Sequence, residues 1–189
     1  SRFSYCSFVS HDGASKRAKE ILPVYVDKLC EEIASIGKTM AKIPITLTTV
    51  YFGGGTPTIL SAEQLDQVCY AVEENFDLSR LKEYTVEAGR PDTITREKLK
   101  VLKKYNITRI SINPQTLNDE VLRGIGRKHT AQEIIDCFYM AREEGFDDIN
   151  MDLIAGLPGD TVEGFCDTID RIIALDPENI TVHTLSIKR

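Results

Sequence analysis

The chain has no tryptophan, no Cys-x-x-Cys pair, no basic surplus and no long apolar run, and each absence removes a class of protein. No stretch approaches the roughly 18 apolar residues of a membrane helix, and no signal-peptide pattern opens the chain. Against 29 Asp and Glu stand 23 Lys and Arg, for a net charge of −6 and a pI near 5.2. Without a Lys/Arg stripe to offset that balance, nucleic acid is not an expected partner. Cysteines 6, 30, 69, 137 and 166 stand singly and are odd in number. That is the pattern of a reducing compartment, so a cytoplasmic location is expected. The phosphate-cradling patterns GxxxxGK[ST] and GxGxxG are both missing.

What is present is an ordinary globular composition, 42% hydrophobic and 28% charged over 189 residues, room for one large domain or part of a larger protein. Both ends read as cut. Ser1 runs at once into "SRFSYCSF", and "TVHTLSIKR" stops inside an extended run, so an internal piece is expected. Extended segments at 45–52, 83–88, 109–113, 148–154 and 179–185 alternate with helical patterns at 14–37, 61–75, 95–105, 130–144 and 161–175. Ser61 with Gln64 and Thr130 with Glu133 form capping boxes, and Gly145 suits the residue after a helix. The strands read as apolar on both faces, as in a parallel sheet covered by helices. Repeated βα units predict one α/β domain, either a barrel or an open doubly wound sheet.

Ligands of such folds sit at the carboxyl ends of the strands. Those positions hold Gly53-Gly54-Gly55-Thr56-Pro57-Thr58, then Glu87 with Gly89 and Arg90, then Asn113-Pro114-Gln115 with Arg127 and His129 beyond. Asp152 and "AGLPGD" follow, and His183 and Thr184 close the series. A turn needs one glycine or two, so three in a row predict a close approach to the main chain, with a tight turn as the plain alternative. An ionised Asp152 within "INMDLIAGLP" requires a partner, either a ligand or a buried salt bridge. Arg127 reads as a site residue or a solvated loop arginine, and His129 and His183 as site or scaffold. Cys30, Cys69, Cys137 and Cys166 fall in helical patterns and are expected at or near the core. The Lys98–Lys104 run reads as a solvated helix face.

Five ordered stretches, "YCSF", "YFGGGTPTIL", "VEAGRPDT", "INPQTLNDEVLRGIGRKHT" and "MDLIAGLPGDT", resemble the radical S-adenosylmethionine family. More narrowly they resemble its branch of oxygen-independent coproporphyrinogen III oxidases, and "EAGRPDT" is similar to a coproporphyrinogen dehydrogenase-like subgroup. The resemblance covers nearly the whole chain. It implies a radical S-adenosylmethionine core domain over 1–189, a partial (β/α)6 TIM-like barrel with five strands here and the first before Ser1.

It further implies a [4Fe–4S] cluster and S-adenosyl-L-methionine as cofactors. Carried over residue by residue, Gly54, Gly55 and Thr56 would contact S-adenosylmethionine beside its methionine portion. Glu87 would accept hydrogen bonds from one cofactor molecule, while Gln115, Arg127 and Asp152 would hold it or a second copy. Tyr5 matches the aromatic residue of the cluster loop, Cys6 the third cluster cysteine, and Thr184 a last-strand contact. In the oxidases, one electron from the cluster cleaves the sulfonium, and the resulting radical takes a propionate hydrogen. Carbon dioxide leaves, and coproporphyrinogen III becomes protoporphyrinogen IX in haem biosynthesis. The implied partners are a porphyrinogen substrate and an electron donor such as flavodoxin or ferredoxin. Relatives in the branch carry haem instead, so a haem chaperone and a cluster-less relic are the alternatives. The sequence departs from the CxxxCxxC pattern, because Phe3 stands where the second cysteine belongs and the first would precede Ser1.

Overall fold

The computed structural model describes residues 15–185. In chain order these form α1 (Lys16–Met40), β1 (Thr49–Phe52), α2 (Ala62–Asn75), β2 (Glu83–Gly89), α3 (Arg96–Lys104), β3 (Arg109–Gln115), α4 (Asp119–Gly124), α5 (Ala131–Glu143), β4 (Asp148–Ala155), α6 (Val162–Ala174) and β5 (Asn179–Thr184). Phe3, Tyr5 and Cys6 lie outside the described residues.

Helix starts follow from short polar side chains that accept the first orphan backbone N–H groups, each contributing about 1 kcal/mol. Ser61 and Thr130 complete capping boxes with Gln64 and Glu133, while Thr95 and Thr161 accept from the amides of Lys98 and Gly164. Helix α4 was not anticipated. Asn118 caps it, accepting from the amides of Glu120 and Val121, and its brevity hides it from any search for helical periodicity.

The strands form one sheet in the order β1-β2-β3-β4-β5, with every neighbouring pair parallel. Sequential order with intervening helices is the arrangement of a βα barrel wall. One expectation is overturned here, since the strands are not apolar on both faces. Tyr84, Val86 and Ala88 of β2, Ile110 and Ile112 of β3, and Ile149, Met151 and Leu153 of β4 join the core with Leu65, Val72, Leu99 and Phe138 of the helices. The alternate positions carry Thr49 and Tyr51, Thr85 and Glu87, Ser111, Asn150 and Asp152, and Thr181. These polar residues stand side by side across the sheet, with Tyr51 opposite Thr85, Glu87 opposite Ser111, Ser111 opposite Asn150, and Asp152 opposite Thr181. The period of two that governs every strand thus separates an apolar helix-facing side from a polar inner side.

Other expectations need adjustment. Cys69 and Cys137 are buried, and burial pushes both thiols up to about 12. Cys30 is half-buried, and Cys166 is exposed, because its helix α6 turns that side away from the sheet. Lys98 is half-buried as well, which removes it from the solvated face of α3.

Candidate functional site

The three glycines after β1 serve three purposes. A Cβ at Gly53 would collide with Cε1 of the Tyr51 ring and lie 3.4 Å from Cδ of Glu87. Gly54 has φ +103°, a region that residues with a Cβ rarely adopt, and an added Cβ there would meet nothing within 4 Å. Gly55 also faces open space. Close packing therefore explains the first, backbone conformation the second, and only the open side of Gly54 and Gly55 leaves main chain free for a ligand.

Glu87 is half-buried near the carboxyl end of β2, and the Tyr51 hydroxyl donates to its Oε1 at 2.5 Å. Burial, the bond to Glu87 and the charges of Glu87 and Asp152 all raise the Tyr51 pKa, so the phenol keeps its proton. Tyr51 is thus within electrostatic reach of both carboxylates.

Asp152 has the partner its charge requires, although that partner is neither a cation nor a helix. Asn150 Nδ2 donates to Asp152 Oδ1 at 2.7 Å and to Ser111 Oγ at 2.8 Å. Thr181 Oγ1 donates to Asn150 Oδ1 at 2.9 Å, and Ser111 Oγ to Asn113 Oδ1 at 2.9 Å. Asn150, buried and bonded through both ends of its amide, is the hub of a polar lattice spanning β3 to β5. Neither a buried salt bridge nor a purely apolar setting describes Asp152, because the strand's alternation puts Met151 and Leu153 on the opposite face.

The rim is built from irregular strand ends. Register shifts between Glu87 and Gly89 on β2 and between Ile112 and Gln115 on β3 mark adjacent bulges. Pro114 suits such a place, having no N–H to lend to the ladder. Gln115 is buried with φ +70°, a conformation costing a non-glycine residue roughly 1–3 kcal/mol and held here by surrounding structure. Bulges at strand ends re-aim side chains, as the edge of a binding site requires.

Beneath the glycine loop, Thr58, Thr93 and Lys98 tie it down. The buried Thr58 hydroxyl donates to the Ala88 carbonyl, and its oxygen lies 2.7 Å from Thr93 Oγ1. Lys98 Nζ donates to the Thr58 carbonyl at 2.6 Å and the Thr93 carbonyl at 2.9 Å. Burial lowers the Lys98 pKa, and the two carbonyls take the place of its lost water. Lys98 sits in the first turn of α3, where its amide donates to the cap Thr95, and its ammonium turns back to these carbonyls and not to solvent.

Arg127 and His129, in the turn between α4 and α5, are both buried. His129 Nδ1 lies 3.8 Å from Asp92 Oδ1, and Arg90 Nη2 lies 3.3 Å from Asp92 Oδ2. Burial, followed by the charges of Arg127 and Arg90, lowers the His129 pKa, and Asp92 opposes that only in part. Thr184 is exposed at the end of β5 on the side of Ile180 and Val182, not of Thr181, and His183 is exposed too. Among the described residues no group of three or more His, Cys, Asp or Glu could hold a metal ion.

A parallel βα sheet with a polar interior, a bare glycine turn and carboxylates at the strand ends is the framework of a cofactor-dependent barrel protein. The chain belongs to the radical SAM superfamily, whose family model matches residues 4–172. That family works with a [4Fe–4S] cluster and S-adenosylmethionine. The chain is 46% identical to the oxygen-independent coproporphyrinogen-III oxidase-like protein HemZ of Bacillus subtilis over 98% of this chain and 37% of that protein. It is 36% identical to the heme chaperone HemW of the same organism, over 97% of this chain and 47% of that protein. The solved structure of coproporphyrinogen III oxidase HemN from Escherichia coli, a radical SAM enzyme, superposes with a TM-score of 0.81 at 30% identity, covering 90% of this chain and 39% of that one. The chain spans less than half the length of these relatives. The likeness to HemN bears out the partial TIM-like barrel expected from the motifs.

Proposed function

We propose that this chain is the cofactor-binding core of an oxygen-independent oxidase that decarboxylates coproporphyrinogen III to protoporphyrinogen IX in the cytoplasm. The observation that carries the reading is the convergence of the open Gly54–Gly55 main chain with Glu87 and Asp152 on one polar inner face. S-adenosylmethionine carries an ammonium and a sulfonium, and two carboxylates beside unhindered backbone suit both charges. When reduced by one electron, that cofactor supplies a carbon radical able to remove hydrogen from an unactivated C–H bond. The protein's share is positioning and exclusion of water. Main-chain groups at Gly54, Gly55 and Thr56 would bind the methionine portion, and Glu87 would accept from one cofactor molecule. Gln115, Arg127 and Asp152 would hold that molecule or a second copy, and Tyr5 would complete the contacts, whereas Thr184 stands on the other side of β5. Flavodoxin or ferredoxin would supply the electron.

The cluster does not fit as readily. Cys6 is the thiol this sequence provides at a cluster position, and Phe3 occupies another. A phenyl ring cannot ligate iron, so the residues present do not complete a three-thiolate cluster site. Metal sites with full ligand sets are worth about 10 kcal/mol or more, which makes one lost thiolate a large defect. A second reading, a haem chaperone, is favoured by the 36% identity to HemW of Bacillus subtilis.

Full-length protein, as it stands and as Phe3→Cys, should be reconstituted anaerobically with iron and sulfide and supplied with S-adenosylmethionine, reductant and coproporphyrinogen III. The expected result is four irons per chain and vinyl products by chromatography from Phe3→Cys, with fewer irons from the parent. Stoichiometric haem binding without decarboxylation would replace the oxidase by the chaperone, and a four-iron parent would show that another residue supplies the ligand.

A further inference from the structure

The strand-end carboxylate most exposed to misplacement is Glu87, because a glutamate with free rotamers cannot present a fixed oxygen to a ligand. Among the described residues its side chain is held by Tyr51, whose hydroxyl donates to Oε1 at 2.5 Å. Tyr51 arrives there by design of the local chain. Alternation along β1 sends Val50 and Phe52 to the core side and Tyr51 to the inner side, two residues before the glycine loop. The ring then lies across Gly53, where any Cβ would strike Cε1. The first glycine of the run is therefore bare for this ring and not for a ligand.

We propose that Tyr51 is a positioning residue of the cofactor site, holding Oε1 of Glu87 so that Oε2 is the oxygen presented to bound S-adenosylmethionine. This rests on the reading of the site given above. Two further observations support it. Tyr51 feels the charges of both Glu87 and Asp152, and it shares the inner face of the sheet with both carboxylates. Its side chain is also poorly placed to be a core residue, because 58% of Tyr51 is exposed although Phe52 beside it packs edge-to-face on Tyr84. A phenol that contributes little packing yet makes a short bond to a carboxylate is placed for that carboxylate. Donation from a neutral phenol leaves the negative charge on Glu87 intact, whereas a lysine or arginine at position 51 would cancel it before a cationic ligand arrived.

The test uses full-length Phe3→Cys protein as the parent, reconstituted anaerobically to four irons per chain, with iron content matched among variants and S-adenosylmethionine binding measured by calorimetry. Tyr51→Phe keeps the ring over Gly53 and removes only the hydroxyl. It should weaken binding roughly tenfold, the scale of one hydrogen bond to a charged group, while the melting temperature stays within about a degree because the ring is exposed. In a Glu87→Gln background the same change should cost little further affinity, since both substitutions remove one interaction. Equal binding by Tyr51→Phe and its parent, or losses that simply add to those of Glu87→Gln, would overturn the assignment of Tyr51 alone. A parent that binds no S-adenosylmethionine would overturn the reading of the site and the assignment with it.

Discussion

The two faces of the sheet carry the same backbone and opposite chemistry. On the helix-facing side Ile110, Ile112, Ile149 and Met151 are fully buried against helices, and their contribution is the area they remove from water. On the inner side directional bonds pair Tyr51 with Glu87 and join Ser111, Asp152 and Thr181 through Asn150. The first face tolerates exchange of one apolar residue for another of similar volume. The second does not, because Asn150 serves two acceptors and one donor at once, and glutamine, which alone carries the same amide, is one methylene too long for the same positions. Stability is concentrated on one side of each strand and chemistry on the other.

The comparison predicts distinct losses. Ile110→Ala, on the helix-facing side, should lower unfolding free energy by about 2–5 kcal/mol in urea titration, through lost transfer energy and a cavity at the centre of the sheet. An unchanged midpoint would mean that the core is not built around β3. Gly54→Val, at the rim, should remove most S-adenosylmethionine affinity of the cluster-loaded Phe3→Cys protein in calorimetry, because the branched side chain resists φ +103° and fills open space. The conformational strain should also cost stability by roughly 1–3 kcal/mol. Unaltered affinity would reduce the glycines to turn residues. The smallest effect concerns His129. Its folded pKa is lowered below the ordinary value near 6.5, so on acidification the unfolded chain takes up a proton that the folded chain resists. Stability should therefore decline as pH falls below about 6.5 and level off beneath the folded pKa, and His129→Asn should flatten that slope in melting curves taken between pH 5 and 8. A slope of the same size in the variant would assign it to other groups.

Much of this was legible in the residues. Capping boxes at Ser61 and Thr130 placed two helix starts within a residue, because capping is a contact over three positions and needs nothing distant. The strand ends carrying Glu87, Gln115 and Asp152 followed from the same punctuation. Alternation was misread as continuous apolarity, since Thr, Ser and Asn between β-branched neighbours look like strand formers and not like a separate face. Tyr51 went unnoticed because its partner is 36 residues away, and Lys98 was taken for a solvated residue because the Thr58 carbonyl it serves is 40 residues away. No local signal encodes such pairings.

The order of βα units, the glycine turn, the family motifs and the Phe3 departure are properties of sequence alone, because each is a pattern of neighbours along the chain. Which glycine is bare for conformation and which for a ring, and that Asp152 is held by Asn150, were decided only by tertiary structure. Parallel pairing brings residues from separate βα units to within 3 Å, as for Asn150 and Ser111, and only their approach determines which polar group meets which.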